Sequence, residues 1–470
     1  MELYSEGKNY KLYQGDMLDM LDVVEENSID SIVTDPPYEL NFMNKGWDNA
    51  GVSFKKETWE KCYKALKPGG HLLAFGGTRT YHRIACAIED AGFEIRDCIM
   101  WIYGSGFPKS MNIGLSIDKK NGVESPVVGQ NQDILKKQAK DLREGHRTIV
   151  DSLDSGAPER NNGFKTVSAD IKQAQNEWDG WGTQLKPSYE PIIIARKPVE
   201  GSITENVIKW RVGGYNIDEC RVPLEDGYEF KTTNRKSRAD DNVFDNSNCG
   251  FDSENNTNAS ASPKGRFPAN TILTYDETDF DEVCSNFPNS KGASSQNNYS
   301  NGHIYRGQSL NESQTSLNGF REWYNDSGSA SRYFYCAKAS KKDRDAGLEE
   351  MDAVAGHGKG NGLDRVCEFC GVSQLTPELC HCETKSWVAK PKKNFHPTVK
   401  PTELMQYLVK LVTPRNGIVL DPFNGSGSTG KAVLYENKER DVNYSYIGIE
   451  LTPEYLPISK ARLDFVNKTV

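Results

Sequence analysis

Residues 421–431 read Asp-Pro-Phe-Asn-Gly-Ser-Gly-Ser-Thr-Gly-Lys and follow the short apolar run Ile418–Leu420. A strand ending in an acid, a Gly-x-Gly turn and a helix together let a ligand approach the backbone closely, and such units belong to open sheets wound by helices. A second apolar strand, Tyr446–Ile449, ends in Glu450. A carboxylate there can take the two hydroxyls of a ribose. A phosphate loop is the competing reading. It needs Gly-x-x-x-x-Gly-Lys followed by Ser or Thr, whose hydroxyl holds Mg²⁺. Gly425, Gly430 and Lys431 fit that frame, but Ala432 follows. The turn therefore favours a nucleoside cofactor over a nucleotide hydrolase.

Both ends of the chain alternate short apolar strands with helices, which predicts a mostly parallel sheet. Near the start, strands are expected at Tyr10–Gln14, Ile29–Thr34, His71–Phe75 and Ile95–Tyr103, with helices at Trp59–Leu66 and Tyr81–Ala91. Lys67-Pro68-Gly69-Gly70 reads as the stop after the first helix. Near the end, Thr402 is expected to cap a helix carrying Leu404, Tyr407, Leu408 and Leu411 on one face, and another helix starts at about Glu454. Residues 116–180 are polar and partly helical, and Tyr189–Arg196 reads as a strand that rejoins the sheet. Residues 237–262 and 285–318 are dense in Asn, Ser, Asp and Gly and read as surface loops or disorder.

At 470 residues the chain exceeds one ordinary core. The expected division is a catalytic half at 1–115, a partly helical insertion with a returning strand at 116–200, a recognition region at 201–390, and a cofactor-binding half at 391–470. No run approaches the roughly 20 apolar residues of a membrane span. The first residues lack a signal pattern, and the 11 cysteines are odd in number and mostly scattered. Both features point to an intracellular protein without a disulfide framework. A net charge of −9 neither suggests nor excludes a nucleic acid, because local patches set that contact.

Asp35-Pro36-Pro37-Tyr38 closes the buried run Ile29–Thr34. Two prolines fix the backbone and remove two N–H donors. The Asp35 carboxylate and the Pro36 carbonyl can then act as rigid acceptors for the two hydrogens of an exocyclic amino group, with the Tyr38 ring available for stacking. A tight strand-end turn is the bland alternative, but it needs neither the acid nor the aromatic.

With these residues the sequence resembles the amino-methylating DNA methyltransferases, which make N6-methyladenine or N4-methylcytosine. The matching segments are Thr34–Tyr38, Asp421–Gly427, Tyr446–Glu450, Gly15-Asp16 and His396-Pro397-Thr398-Val399-Lys400-Pro401. The catalytic tetrapeptide precedes the cofactor loop, as in the β arrangement of that family. The fold this implies is an α/β, Rossmann-like methyltransferase sheet, circularly permuted, with a large inserted target-recognition region. Its first and last strands should then be neighbours. S-adenosylmethionine is the implied cofactor. Asp421, Phe423, Gly425 and Gly427 would line its methionine part, Glu450 would hold the ribose and Asp16 the adenine amino group. His396, Thr398 and Lys400 would contact its carboxylate end or support that wall. DNA is the implied partner, through a base flipped out of the stack. Cytosine-N4 members more often carry Ser at the place of Asp35, so adenine N6 is the expected target. N4 of cytosine is the first rival, and a non-catalytic DNA-binding scaffold the second. The resemblance is also compatible with a dimer, a restriction partner and a bacterial or phage-encoded cytoplasmic protein.

The middle of the chain adds two features. Cys367-x-x-Cys370 precedes Cys380-His381-Cys382, which suggests structural zinc held by Cys367, Cys370, Cys380 and Cys382, with His381 as a substitute. Arg332, Lys338, Lys341, Lys342 and Arg344, interleaved with Tyr333–Tyr335, form one candidate DNA patch. Lys390, Lys392 and Lys393 form another. Basic side chains there would neutralise phosphates. A solvated surface is the alternative for both, and Tyr333–Tyr335 also fits a buried strand.

Overall fold

A computed structural model of the chain describes residues 2–40, 50–103, 110–130, 170–223, 261–262, 264–276, 287, 289–290, 328–329, 334–339, 341–351, 354–355, 365–367, 382, 387–389 and 391–468. Ten strands form one sheet: β1 (Glu2–Gly7), β2 (Tyr10–Gln14), β3 (Ile29–Thr34), β4 (Leu66–Phe75), β5 (Glu94–Tyr103), β6 (Tyr189–Arg196), β7 (Thr271–Asp276), β8 (Tyr335–Ala339), β9 (Ile418–Asp421) and β10 (Ser445–Glu450). Their order is β1-β2-β10-β9-β3-β4-β6-β5-β7-β8. β2, β10, β9, β3 and β4 run parallel. β6 lies antiparallel between β4 and β5, and β5, β7 and β8 are again parallel.

The apolar runs explain this arrangement. β3 is buried along its whole length and β6 over its last six residues, so both faces of the sheet must be covered. Helices α1 (Lys56–Ala65) and α2 (Tyr81–Asp90) cover one face, where Trp59, Cys62, Ile84 and Ile88 meet Ile32, Leu72 and Leu420. On the other, α3 (Thr402–Val412), α4 (Ser428–Arg440) and α5 (Leu456–Lys468) place Leu404, Leu408, Val433 and Leu463 against Leu12, Val33 and Leu73. The helix after β9 (α4) and the helix after β3 (α1) thus lie on opposite faces, and ligands of such folds bind beyond the strand ends at that switch.

The strand that ends near Asp16, β2, and the last strand, β10, are neighbours as expected, with Gln14 opposite Glu450, and β1 adds an antiparallel edge strand beyond β2. Three details depart from the sequence reading. Lys67–Gly70 does not end the helix ahead of a separate strand but forms a bulge inside β4: Leu66 pairs with Ile29, and the next pair is His71 with Ser31. Asn206 holds the bulge by donating to Pro68 O at 2.9 Å. Second, Pro401 rather than Thr402 occupies the N-cap of α3; the Thr402 N–H and hydroxyl both donate to the Asp343 carboxylate, at 2.9 and 2.7 Å. Third, β7 and β8 carry the main sheet into the region assigned to target recognition, where the sequence of Tyr333–Tyr335 fits either a DNA patch or a buried strand, and Tyr335 opens β8 stacked on Tyr407 with ring centroids 4.2 Å apart. Among the described residues no helix is long and apolar enough to cross a membrane.

Candidate active site

The carboxyl ends of β2, β10, β9 and β3 open into a cavity of about 1150 Å³. It brings together Asp16, Asp35–Tyr38, Asp421–Ser426, Glu450 and His396–Lys400, which lie far apart in sequence. Gly427 sits just behind this lining, as the N-cap of α4.

The glycine turn is closely packed. Gly425 N donates to Glu450 Oε2 at 2.6 Å, and Asn424 N to Ile449 O at 2.9 Å, so the turn is tied to the end of β10. Thr452 N holds the other Glu450 oxygen at 2.8 Å. Asp421 accepts from Thr34 Oγ1 at 2.6 Å, which locks the two strand ends at the switch point together. On the adjacent edge Gly15 N donates to Glu450 O at 3.0 Å, and Asp16 caps its own helical turn by accepting from Leu18 N. His396 Nδ1 sits 2.6 Å from Thr398 O and therefore donates, leaving Nε2 toward Gly425. Burial pushes the His396 imidazole down to about 3, so the ring is neutral at ordinary pH.

Burial also pushes the Asp421 carboxyl up to about 6 and that of Glu450 up to about 7. A raised acid makes the folded state bind more protons than the unfolded one between about pH 4 and pH 7, so its contribution to stability falls as pH rises through that window. His396 and the core residue His71, both held near 3, do the reverse between about 3 and 6.5. The two slopes oppose each other. Glu450→Gln removes one falling slope. Its melting temperature relative to wild type should therefore climb between about pH 4.5 and pH 7 and level off above; paired thermal melts across that range check it, and a difference independent of pH would refute the assignment.

The other half of the cavity holds the tetrapeptide. Lys400 Nζ lies 2.7 Å from Asp35 Oδ2 and 3.4 Å from Glu190 Oε2, and donates to the Tyr38 hydroxyl at 3.1 Å. Tyr38 in turn donates to Glu190 Oε2 at 2.7 Å. Asp35 Oδ1 is buried with no hydrogen-bond partner. Burial opposes the Lys400 charge, but Asp35 and Glu190 outweigh it and raise the ammonium above its usual range. Lys400 thus stands beside the tetrapeptide, whereas the resemblance set it at the carboxylate end of the cofactor or its supporting wall. Glu190 escaped the sequence reading; its signal was an acid inside an otherwise buried apolar strand.

Lys431, the residue a phosphate loop would need, is fully buried and turned away. Its Nζ donates to the Asp343 carboxylate at 2.8 Å, and it does not line the cavity.

The sequence model of the N6/N4 DNA methylases matches residues 29–461. The chain belongs to this DNA methylase family. A type II methyltransferase of Lactococcus lactis subsp. cremoris, M2.LlaDCHI, is 34% identical over 243 residues, 45% of this methylase and 84% of that protein. M.HpaI of Haemophilus parainfluenzae is 37% identical over 94 residues, 18% of this methylase and 30% of the relative. The methylase spans only 25–30% of the length of the first curated relatives it matches. Among solved structures, the cytosine-N4-specific PvuII DNA methyltransferase is 13% identical with a TM-score of 0.37, covering 98% of this chain and 92% of that one.

Of the candidate DNA contacts, Arg344 lines the cavity and donates to His396 O at 3.0 Å and Asn394 O at 3.2 Å, so it braces the histidine wall. Lys342 is exposed, and Lys393 donates to Glu349 O. Arg332 and Lys390, and the side chains of Lys338, Lys341 and Lys392, lie outside what is described. So do Cys370, Cys380 and His381. Cys367 Sγ and Cys382 Sγ stand 3.8 Å apart, and among the described residues no cluster of three or more metal-ligating side chains occurs.

Proposed function

We propose that this methylase transfers a methyl group from S-adenosylmethionine to the exocyclic N6 of an adenine flipped out of DNA. One observation carries the reading: Asp35 lines the same cavity as the glycine turn and Glu450, and its carboxylate keeps one buried oxygen, Oδ1, without a partner. The residues fit that cofactor. The turn at Gly425 has no room for a Cβ, which would stand 2.8 Å from His396 Nε2, and Asp16 follows the strand whose Gln14 pairs with Glu450, so that both acids line the cavity. Asp421, Phe423, Gly425 and Gly427 would bound the methionine part, Glu450 the ribose and Asp16 the adenine, with His396 and Thr398 as the opposite wall.

When bound, the cofactor supplies an already activated methyl group, so the protein contributes position and electrostatics. Asp35 Oδ1 accepts one amino hydrogen of the flipped base and the Pro36 carbonyl the other, which turns the nitrogen lone pair toward the cofactor. Tyr38 stacks on the base; its hydroxyl is held by Glu190 and Lys400, so the ring is already fixed. Asp35 need not take a proton before attack, because an aniline-like amine is far too weak an acid. It stabilises the positive charge that builds on nitrogen, and the proton leaves afterwards to water.

Aspartate at position 35 is what favours adenine; the same geometry serves N4 of cytosine. The test is expression in a methylation-free bacterial host with single-molecule sequencing of its DNA. Methylated adenines at one recurring sequence are the expected result. Methylated cytosines would keep the mechanism and replace the base. Because the relatives carry the names of type II methyltransferases, the reading extends to a cytoplasmic restriction-modification role.

The reading also includes structural zinc on Cys367, Cys370, Cys380 and Cys382. The 3.8 Å between Cys367 and Cys382 matches two thiolates on one tetrahedral zinc with bonds of about 2.3 Å. Metal analysis should give one equivalent and chelation should lower the melting temperature; less than half an equivalent counts against it.

A further inference from the structure

The reaction as read uses Asp35 and Tyr38 and leaves two charges beside them without a task. Lys400 donates to Asp35 Oδ2 and to the Tyr38 hydroxyl and pairs with Glu190 Oε2 at 3.4 Å, so the ammonium is committed to this cluster. Glu190 also accepts from the Tyr103 hydroxyl at 3.4 Å, and so gathers two tyrosine hydroxyls of the pocket. Phe75 and Trp101 close over the ammonium, with Nζ 4.8 and 5.9 Å from their ring centres. The backbone brings the pair together for a simple reason. β6 runs antiparallel to β4, so the start of β6, and Glu190 with it, lies at the edge where the parallel strands end.

We propose that Glu190 and Lys400 are positioning residues for methyl transfer: they hold Asp35 by Oδ2, which leaves Oδ1 as the one oxygen without a partner, and they hold the Tyr38 ring still, and neither binds the cofactor. This rests on the DNA-methylation reading above. With Lys400 on Oδ2, only Oδ1 remains to accept from the base, so the carboxylate has one productive orientation. Without the ammonium, two carboxylates would face each other and repel. Asp35 would then swing away from the amino group, and a misplacement of about 1 Å costs on the order of 100-fold in rate.

Single-turnover methylation, cofactor calorimetry and melting temperature test this in Lys400→Met and Glu190→Gln. The former should slow the chemical step about 100-fold and the latter about 10-fold, each with cofactor affinity within about threefold of wild type. In an Asp35→Asn background Lys400→Met should cost no more than about threefold, because it acts through a group already altered. Cofactor affinity falling in parallel with rate would overturn the assignment, as would a Lys400→Met rate close to wild type.

A second readout needs no methylation. Lys400→Met strands two like charges, and adding Glu190→Gln removes one, so the double variant should melt higher than Lys400→Met alone. Simple additivity of the two losses would sink the clamp even in a protein that methylates nothing. A wild type inactive on every DNA, with this charge coupling intact, would instead sink the methylation reading and leave the clamp standing.

Discussion

Asp35→Ala should slow methyl transfer by about 1000-fold while cofactor affinity stays within about threefold of wild type. The asymmetry follows from where each oxygen of this carboxylate points. Oδ2 is held by Lys400 at 2.7 Å, and Oδ1 is buried and unpartnered. No hydrogen bond joins Asp35 to the glycine turn, whose own ties run to Glu450 and Ile449. Losing Asp35 therefore removes an acceptor that acts only when a base is present. Truncating one partner of a buried pair ordinarily destabilises strongly, but Lys400 keeps Glu190 and Tyr38, so the fold should survive with a modest drop in melting temperature. Calorimetry and single-turnover kinetics on one preparation separate the two effects. Parallel loss of cofactor binding and rate would remove Asp35 from the chemistry.

How much of this was legible depended on whether the cause was local. Tyr10–Gln14, Ile29–Thr34 and Tyr189–Arg196 are strands residue for residue as read: the last two are apolar runs that both layers of helices cover, and in the first Tyr10 and Leu12 alternate with the exposed Lys11. The glycine turn and the tetrapeptide were legible because their backbone demands fall on neighbouring residues. What escaped was set by contacts distant in sequence. Lys400 follows the histidine wall in the chain, yet its charge is satisfied by Asp35 and Glu190 from two other strands' ends. Pro401 can cap α3 because Asp343, from the one-turn helix Lys341–Asp345, answers the Thr402 donors from outside. β7 finds its place by pairing with β5 and β8 by pairing with β7, and no local periodicity announces which strand lies next to which.

The glycine turn supplies the other large expected effect, and its two central glycines should fail in different ways. Gly425 has φ +52°, and a Cβ there would stand 2.8 Å from His396 Nε2. That ring is pinned by Thr398 O and by the Tyr455 ring, 4.5 Å between centres, so it cannot simply turn aside. Gly425→Val would force the turn and the histidine wall apart, and both line the cavity where the cofactor would lie. Cofactor affinity should drop at least about 100-fold, which is about 2.7 kcal/mol of binding. Gly427 is different. Its φ is +75°, and a Cβ would come within 2.4 Å of Ser459 Oγ and 3.2 Å of Ser459 Cα, inside the packing of α4 on α5. Left-handed backbone costs a side chain about 1–2 kcal/mol, and forcing the helices apart about 1–3 more. Gly427→Val should thus lose several kcal/mol of stability first and cofactor binding only as a consequence. Denaturant melts and calorimetry on both variants check the contrast. If Gly425→Val proved the less stable of the two and still bound cofactor, the turn would be a structural corner rather than a cofactor cradle.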